Sequence, residues 1–169
     1  MVIQPDDKIV VTSTGLNTNG DRDFAVLRFE TNGALDQNFT ENFGTNGISL
    51  IPFGLNNPND EANVILLEPT GAIVVGGLSN AGTGDRFALA KLNANGSLRL
   101  GWGTLGRTLS TFPNNDAKIN ALGLYLDGKV LAAGRTWNGT DYDFAVARYQ
   151  NEAGVTATNV AVSGKVATA

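Results

Sequence analysis

Asp143-Phe144-Ala145-Val146-Ala147-Arg148-Tyr149 is the third appearance of one seven-residue pattern in this chain. Asp23-Phe24-Ala25-Val26-Leu27-Arg28-Phe29 is the first, and Arg86-Phe87-Ala88-Leu89-Ala90-Lys91-Leu92 lies between them. Phe24, Phe87 and Phe144 are 63 and 57 residues apart. Self-similarity at such a period marks a supersecondary module that is repeated and stacked, because a single unit cannot bury its own apolar face. Read as a strand, the pattern sends Phe24, Val26 and Arg28 to one face and Ala25, Leu27 and Phe29 to the other. Bulky residues on one face and small ones on the other predict consecutive sheets packed face to face.

The flanking segments repeat as well. Pro5-Asp6-Asp7-Lys8, Pro69-Thr70-Gly71-Ala72 and Leu126-Asp127-Gly128-Lys129 are equivalent turns, read as two-residue hairpin loops that require positive φ at Asp7, Gly71 and Gly128. The strands after them are apolar on both faces, which predicts cover on both faces. Gly76-Gly77 and Ala132-Ala133 in these strands predict close approach of a neighbouring sheet. Asn32-Gly33 and Asn95-Gly96 close the next hairpin. Phe43-Gly44-Thr45-Asn46-Gly47 matches Trp102-Gly103-Thr104-Leu105-Gly106 and leads to a fourth strand, but the third copy lacks this element and with it a clear fourth strand. The expected organisation is a first, partial unit over 1–60, a complete one over 61–116 and a partial one over 117–150. Residues 151–169 read as a linker or the first strand of another domain.

Composition excludes several function classes. With 21 glycines, 42% hydrophobic residues and no apolar stripe of helical period, the chain reads as all-β. A net charge of −4 without a basic cluster argues against a nucleic-acid partner. No apolar run approaches the ~20 residues of a membrane span. Met1 to Pro5 lacks the basic start and apolar stretch of a signal peptide. The absence of Cys removes disulfides and thiol chemistry, and the absence of His removes His-based triads and His-ligated zinc.

Taken together, the Asp-Gly-Lys turn, Asp-Phe-Ala-Val-Ala-Arg-Tyr, Asn-Gly-x-Leu-Asp and Phe-Gly-Thr-x-Gly closely resemble the bacterial delta-60 repeat, over roughly residues 1–150. The resemblance implies a partial β-propeller: tandem four-stranded antiparallel blades, about three repeats of roughly 57–63 residues. Departures are Asp7 in place of the turn Gly and Arg99 in the place of Asp36. The resemblance also implies a secreted or cell-envelope bacterial protein of adhesin-like or scaffolding character. Its partners would be proteins or glycans at the cell surface. The segment from Val162 to Val166 resembles the opening strand of a carboxypeptidase-regulatory-like β-sandwich.

Arg28, Lys91 and Arg148 fall at equivalent positions and are expected to pair with carboxylates such as Asp36 rather than to form an anion-binding ring. Asn19, Asp21 and Asp23 in one loop, with Asp141 and Asp143 in another, are weak Ca²⁺ candidates, since hard cations take oxygen ligands. The same residues also suit hairpin turns, and no cofactor is expected. Trp137 and Tyr142 are candidates for an aromatic platform that stacks on sugar. Asp60 and Glu61, adjacent on a strand, point to opposite faces and do not make a glycosidase pair. No catalytic role is expected. About three blades leave two apolar ends, because closed propellers have four to eight. These ends predict self-association, and two copies would close a six-bladed ring.

Overall fold

The structure, a computed structural model, describes residues 1–38, 42–54, 59–80 and 84–150, and the backbone of 162–164. The described residues form three four-stranded antiparallel sheets. The first contains β1 (Val2–Ile3), β2 (Ile9–Leu16), β3 (Arg22–Phe29) and β4 (Ile48–Ile51), in that spatial order. The second contains β5 (Asn59–Leu67), β6 (Ile73–Asn80), β7 (Asp85–Leu92) and β8 (Arg107–Ser110). The third contains β9 (Ala117–Leu124), β10 (Val130–Trp137), β11 (Tyr142–Tyr149) and β12 (Val162–Gly164). Among the described residues no helix is long and apolar enough to cross a membrane.

β12 is the fourth strand that the sequence did not reveal. It pairs with β11 through Phe144↔Gly164, Ala145↔Ser163 and Val146↔Val162. β4 meets β3 in the same way, through Phe24↔Ile51, Ala25↔Leu50 and Val26↔Ser49. The tail thus contributes a blade strand to the third sheet. The rest of that tail and the loop at 81–83 lie outside the described residues, as do residues 39–41.

The hairpins differ from the two-residue loops expected. The Gln4 amide donates to the Lys8 carbonyl at 2.9 Å and the Asp7 amide to the Gln4 carbonyl at 2.9 Å, which encloses three residues. The same pattern joins Glu68 to Ala72 and Tyr125 to Lys129. In such loops the third residue takes the left-handed conformation. Asp7, Gly71 and Gly128 do so, with φ of 64°, 82° and 80°.

The alternation of the repeated strand decides how the sheets stack. The front face of the first sheet (Val10, Phe24, Val26 and Ile51) shares one core with the rear face of the second (Ile73, Val75, Ala88 and Ala90). Val74, Phe87 and Leu89 on the second sheet's front share another core with Val130, Ala132, Ala145 and Ala147 on the third sheet's rear. The phenylalanine of each of the first two blades therefore packs forward onto the two-alanine face of the next. Phe43 and Trp102 plug equivalent places in these junctions, at 0% and 3% exposure. The Trp102 indole donates to the Gln150 carbonyl at 2.8 Å.

The close approach at the strand glycines has two sources. A Cβ on Gly76 would stand 3.2 Å from Ile119 of the neighbouring sheet, as expected. One on Gly77 would meet the Glu61 carbonyl oxygen at 1.8 Å, and one on Gly134 the Lys118 carbonyl at 1.9 Å, both within their own sheets. In each case the register shifts at a β-bulge in the opposite strand. Ser13 holds the corresponding place in the first blade, where β1 pairs only with Ile9 and Val10. Gly77→Ala is expected to cost about 1–3 kcal/mol by forcing the bulge apart, read as a lower midpoint in denaturant. An unchanged midpoint would mean that the bulge relaxes freely.

Candidate functional site

One end of the three blades gathers the hairpins between second and third strands and the segments that enter β5 and β9. Here the copies diverge. Cross-strand pairs close the hairpins at Leu16↔Arg22, Asn80↔Asp85 and Trp137↔Tyr142. Three chemistries therefore stand at one repeated position of the scaffold.

In the third blade this position is the aromatic pair expected from sequence. The Trp137 and Tyr142 rings lie 5.1 Å apart, edge to face. Tyr142 is 45% exposed. The Arg135 guanidinium sits 4.2 Å from the Tyr142 ring centre. The Tyr142 hydroxyl donates to Asp116 Oδ2 at 2.9 Å, and this bond holds the phenol above its ordinary pKa. Sequence reasoning missed Arg135 and Asp116. Arg135 was legible as the residue two before Trp137, on the same strand face, whereas Asp116 arrives from the connection into β9 and leaves no local signal.

The oxygen-rich loops are built around an asparagine. Asn17 Nδ2 donates to Asp21 Oδ2 at 3.4 Å and to Asp23 Oδ2 at 3.1 Å, while its Oδ1 accepts the Asn19 and Asp21 amides. Asn138 does the same with Asp141, Asp143 and the amides of Thr140 and Asp141. An amide nitrogen thus stands between the two carboxylates of each loop, where a cation would have to sit. Asn19 contributes its backbone to the turn. Among the described residues no group of three or more acidic side chains is arranged to hold a metal. The geometry is that of side-chain-stabilised turns.

Asp60 and Glu61 point apart, as read from sequence. Glu61 bridges three blades, accepting from Arg22 at 3.0 Å and from Lys118 at 3.2 Å. Asp60 is fully buried. Its Oδ2 accepts the Phe53 amide at 2.9 Å, while Oδ1 has no hydrogen-bond partner among the described residues. Desolvation raises the Asp60 pKa above its ordinary value; the Ser79 hydroxyl and Phe53 amide oppose the rise and the neighbouring Asp23 adds to it. Asp23 is itself raised, first by burial.

A carboxyl whose folded pKa exceeds its unfolded value stabilises the fold when protonated, and this contribution is lost as pH rises through the folded pKa. Asp60→Asn is therefore expected to stabilise the protein at pH 7 relative to wild type, with the advantage vanishing near pH 3. Denaturant titrations at both pH values check this, and a destabilised variant at pH 7 would refute the sign.

The repeated cations are committed to carboxylates in the first two blades. Arg28 Nε lies 2.6 Å from Asp36 Oδ2, which Lys8 also reaches at 3.1 Å. Burial pushes the Asp36 pKa up, but the Asn38 amide and the Lys8 and Arg28 side chains outweigh it and hold the group at about 2. In the second blade Arg99 occupies the place of Asp36, and Glu68 supplies the acid instead, 2.7 Å from Lys91 Nζ. Arg148 is exposed. An open cleft of about 470 Å³ at the opposite end is lined by Gln4, Pro5, Asp6, Arg28, Asn42, Ala94 and Asn95.

Comparison with protein families places this architecture. The profile described as "Domain of unknown function (DUF5122) beta-propeller" matches residues 4–39, 68–98 and 126–161, one segment per blade. The chain belongs to this β-propeller family. No curated protein and no solved structure matches. The three segments agree with the delta-60-like repeats read from the sequence, and each contains the turn and strand that build one blade of the DUF5122 chain.

Proposed function

We infer that this DUF5122 chain is a non-catalytic structural or interaction module of a secreted or surface-attached bacterial protein. One observation carries the reading. Positions alike in all copies, held by Phe24, Phe87 and Phe144 or by Ala25, Ala88 and Ala145, line the core wherever two blades meet, through Phe24, Phe87, Ala88 and Ala145. Positions that differ between copies, such as Arg22, Asp85 and Tyr142, end the hairpins at one rim. A uniform interior with a varied rim suits recognition of a protein or glycan at the cell surface.

A second reading, carbohydrate binding, is favoured by the half-exposed Tyr142 beside Trp137 and Arg135. Stacking on a sugar ring needs an accessible aromatic face, with polar neighbours to meet hydroxyls.

A glycan array separates the two. Specific binding lost in Trp137→Ala or Tyr142→Ala supports the sugar-binding reading, whereas no retained glycan leaves protein recognition. Turnover of a glycoside or ester substrate that disappears in Asp60→Asn would overturn the non-catalytic reading. Fractionation of the producing cell tests location, and a purely cytoplasmic protein would contradict it.

A further inference from the structure

Asp23 and Asp60 meet inside the protein, where the first blade packs on the second. Arg22, just before Asp23, bonds Glu61, just after Asp60, at 3.0 Å. The Phe53 amide is held by Asp60 Oδ2, and the Phe53 ring packs 4.8 Å from that of Phe24, the residue after Asp23. β3 and β5 thus bring the two acids together, and the charge of Asp23 is felt at Asp60. Their exposures are 2% and 0%.

Each carboxylate uses one oxygen and leaves the other over. Asp23 Oδ2 accepts from Asn17 Nδ2 at 3.1 Å, and Asp60 Oδ2 accepts the Phe53 amide at 2.9 Å. Among the described residues, Oδ1 of each acid is buried without a hydrogen-bond partner, and so is the Ser79 hydroxyl. Ser79 is fully buried and lies opposite Asp60 in the strand register, on the same face of the sheet. No Lys or Arg of the described residues bonds either acid, since Arg22 is taken by Glu61. Buried charges are otherwise paired or coordinated to an ion. At the second junction Arg86 holds the place of Asp23 and Ala117 that of Asp60, so no such surplus of negative charge arises there.

We propose that Asp23 Oδ1, Asp60 Oδ1 and the Ser79 hydroxyl hold one divalent cation of the calcium type, which ties the first blade to the second. Calcium takes oxygen ligands in flexible geometry and completes its shell with water. Its two charges balance the two carboxylates. The site uses the oxygen of Asp23 that faces away from the Asn17 amide, so it is separate from the turn that Asn17 organises. With only two acids it belongs among weak sites, with a Kd of about 10⁻⁴–10⁻³ M.

Thermal unfolding at pH 7 in calcium chloride and in EGTA is the test. The wild-type midpoint is expected to rise by about 3–10 °C in about 10 mM calcium. Asp60→Asn and Asp23→Asn each lose this rise. In EGTA, Asp60→Asn is expected to melt no lower than wild type, so its lost response reports the site and not a lost fold. Asp141→Asn, in the exposed turn of the third blade, keeps the full rise. Calorimetric titration of the wild type with calcium alone is expected to show one site per chain. A wild-type midpoint that calcium leaves unmoved, or a rise matched by sodium chloride at equal ionic strength, overturns the proposal and leaves a proton as the partner of the two acids. A rise that survives in Asp60→Asn overturns the assigned ligands.

Discussion

Phe87→Ala is expected to destabilise the protein by about 3–5 kcal/mol, while Phe144→Ala costs about 1 kcal/mol or less. The two residues hold the same place in the repeat, so propensity, strand position and side chain are all held constant. Only the environment differs. Phe87 is fully buried, packs at a tilt against Phe112 with ring centres 4.7 Å apart, and closes a core with Ala117, Ile119, Ala145 and Ala147. Truncation there leaves a cavity between two sheets whose backbones are held by their own ladders and cannot collapse freely. Phe144 is 41% exposed and leaves no enclosed void.

The comparison is made by urea denaturation, reading the shift in midpoint at constant slope. Equal losses at the two positions would mean that Phe144 is covered within the single chain.

How much of this was legible in the sequence depended on the range of the interaction. The alternation in Asp-Phe-Ala-Val-Ala-Arg is local, and it predicts that consecutive sheets pack face to face. Positive φ at Asp7, Gly71 and Gly128 was legible too, although the length of the loop was not. The same αL residue serves two- and three-residue hairpins.

Long-range features left weaker traces. Gly77 announced a close approach, but the partner is the Glu61 carbonyl at a bulge in its own sheet, and a bulge has no side-chain signature. β12 carries no motif, so only its register on β11 identifies it as a blade strand. At the candidate site, Trp137 and Tyr142 appeared in the sequence as candidates for an aromatic platform. The burial of Asp60 beneath the first blade did not, because nothing in its own segment reports on Phe53 or Asp23.

Glu68→Ala is expected to cost about 3–5 kcal/mol, as breaking a buried ion pair from one side does. Lys91 is 1% exposed and Glu68 4%, and their charged atoms are 2.7 Å apart. The pair replaces the arrangement in the first blade, where Asp36 holds Arg28 and Lys8. With Arg99 at the Asp36 position and Ala72 at the Lys8 position, the second blade has moved its acid across the junction of strands and kept the buried cation neutralised. Removing Glu68 strips the ammonium of its carboxylate without giving it water. Replacing both residues, Lys91→Met with Glu68→Leu, is expected to recover most of the loss, because the desolvation cost of both charges goes with them.

The pH dependence separates this cause from simple loss of packing. Burial already holds the Lys91 pKa below its ordinary value, with Glu68 pulling it back up. Without Glu68 it falls further. A cation depressed in the folded state binds fewer protons there than in the unfolded chain, so stability rises as pH climbs from the folded toward the unfolded pKa. The deficit of Glu68→Ala is therefore expected to narrow between pH 7 and pH 10, whereas a packing defect would keep it constant. A deficit independent of pH, or one below about 1 kcal/mol, would show that the Lys91 ammonium does not depend on Glu68 for its charge balance.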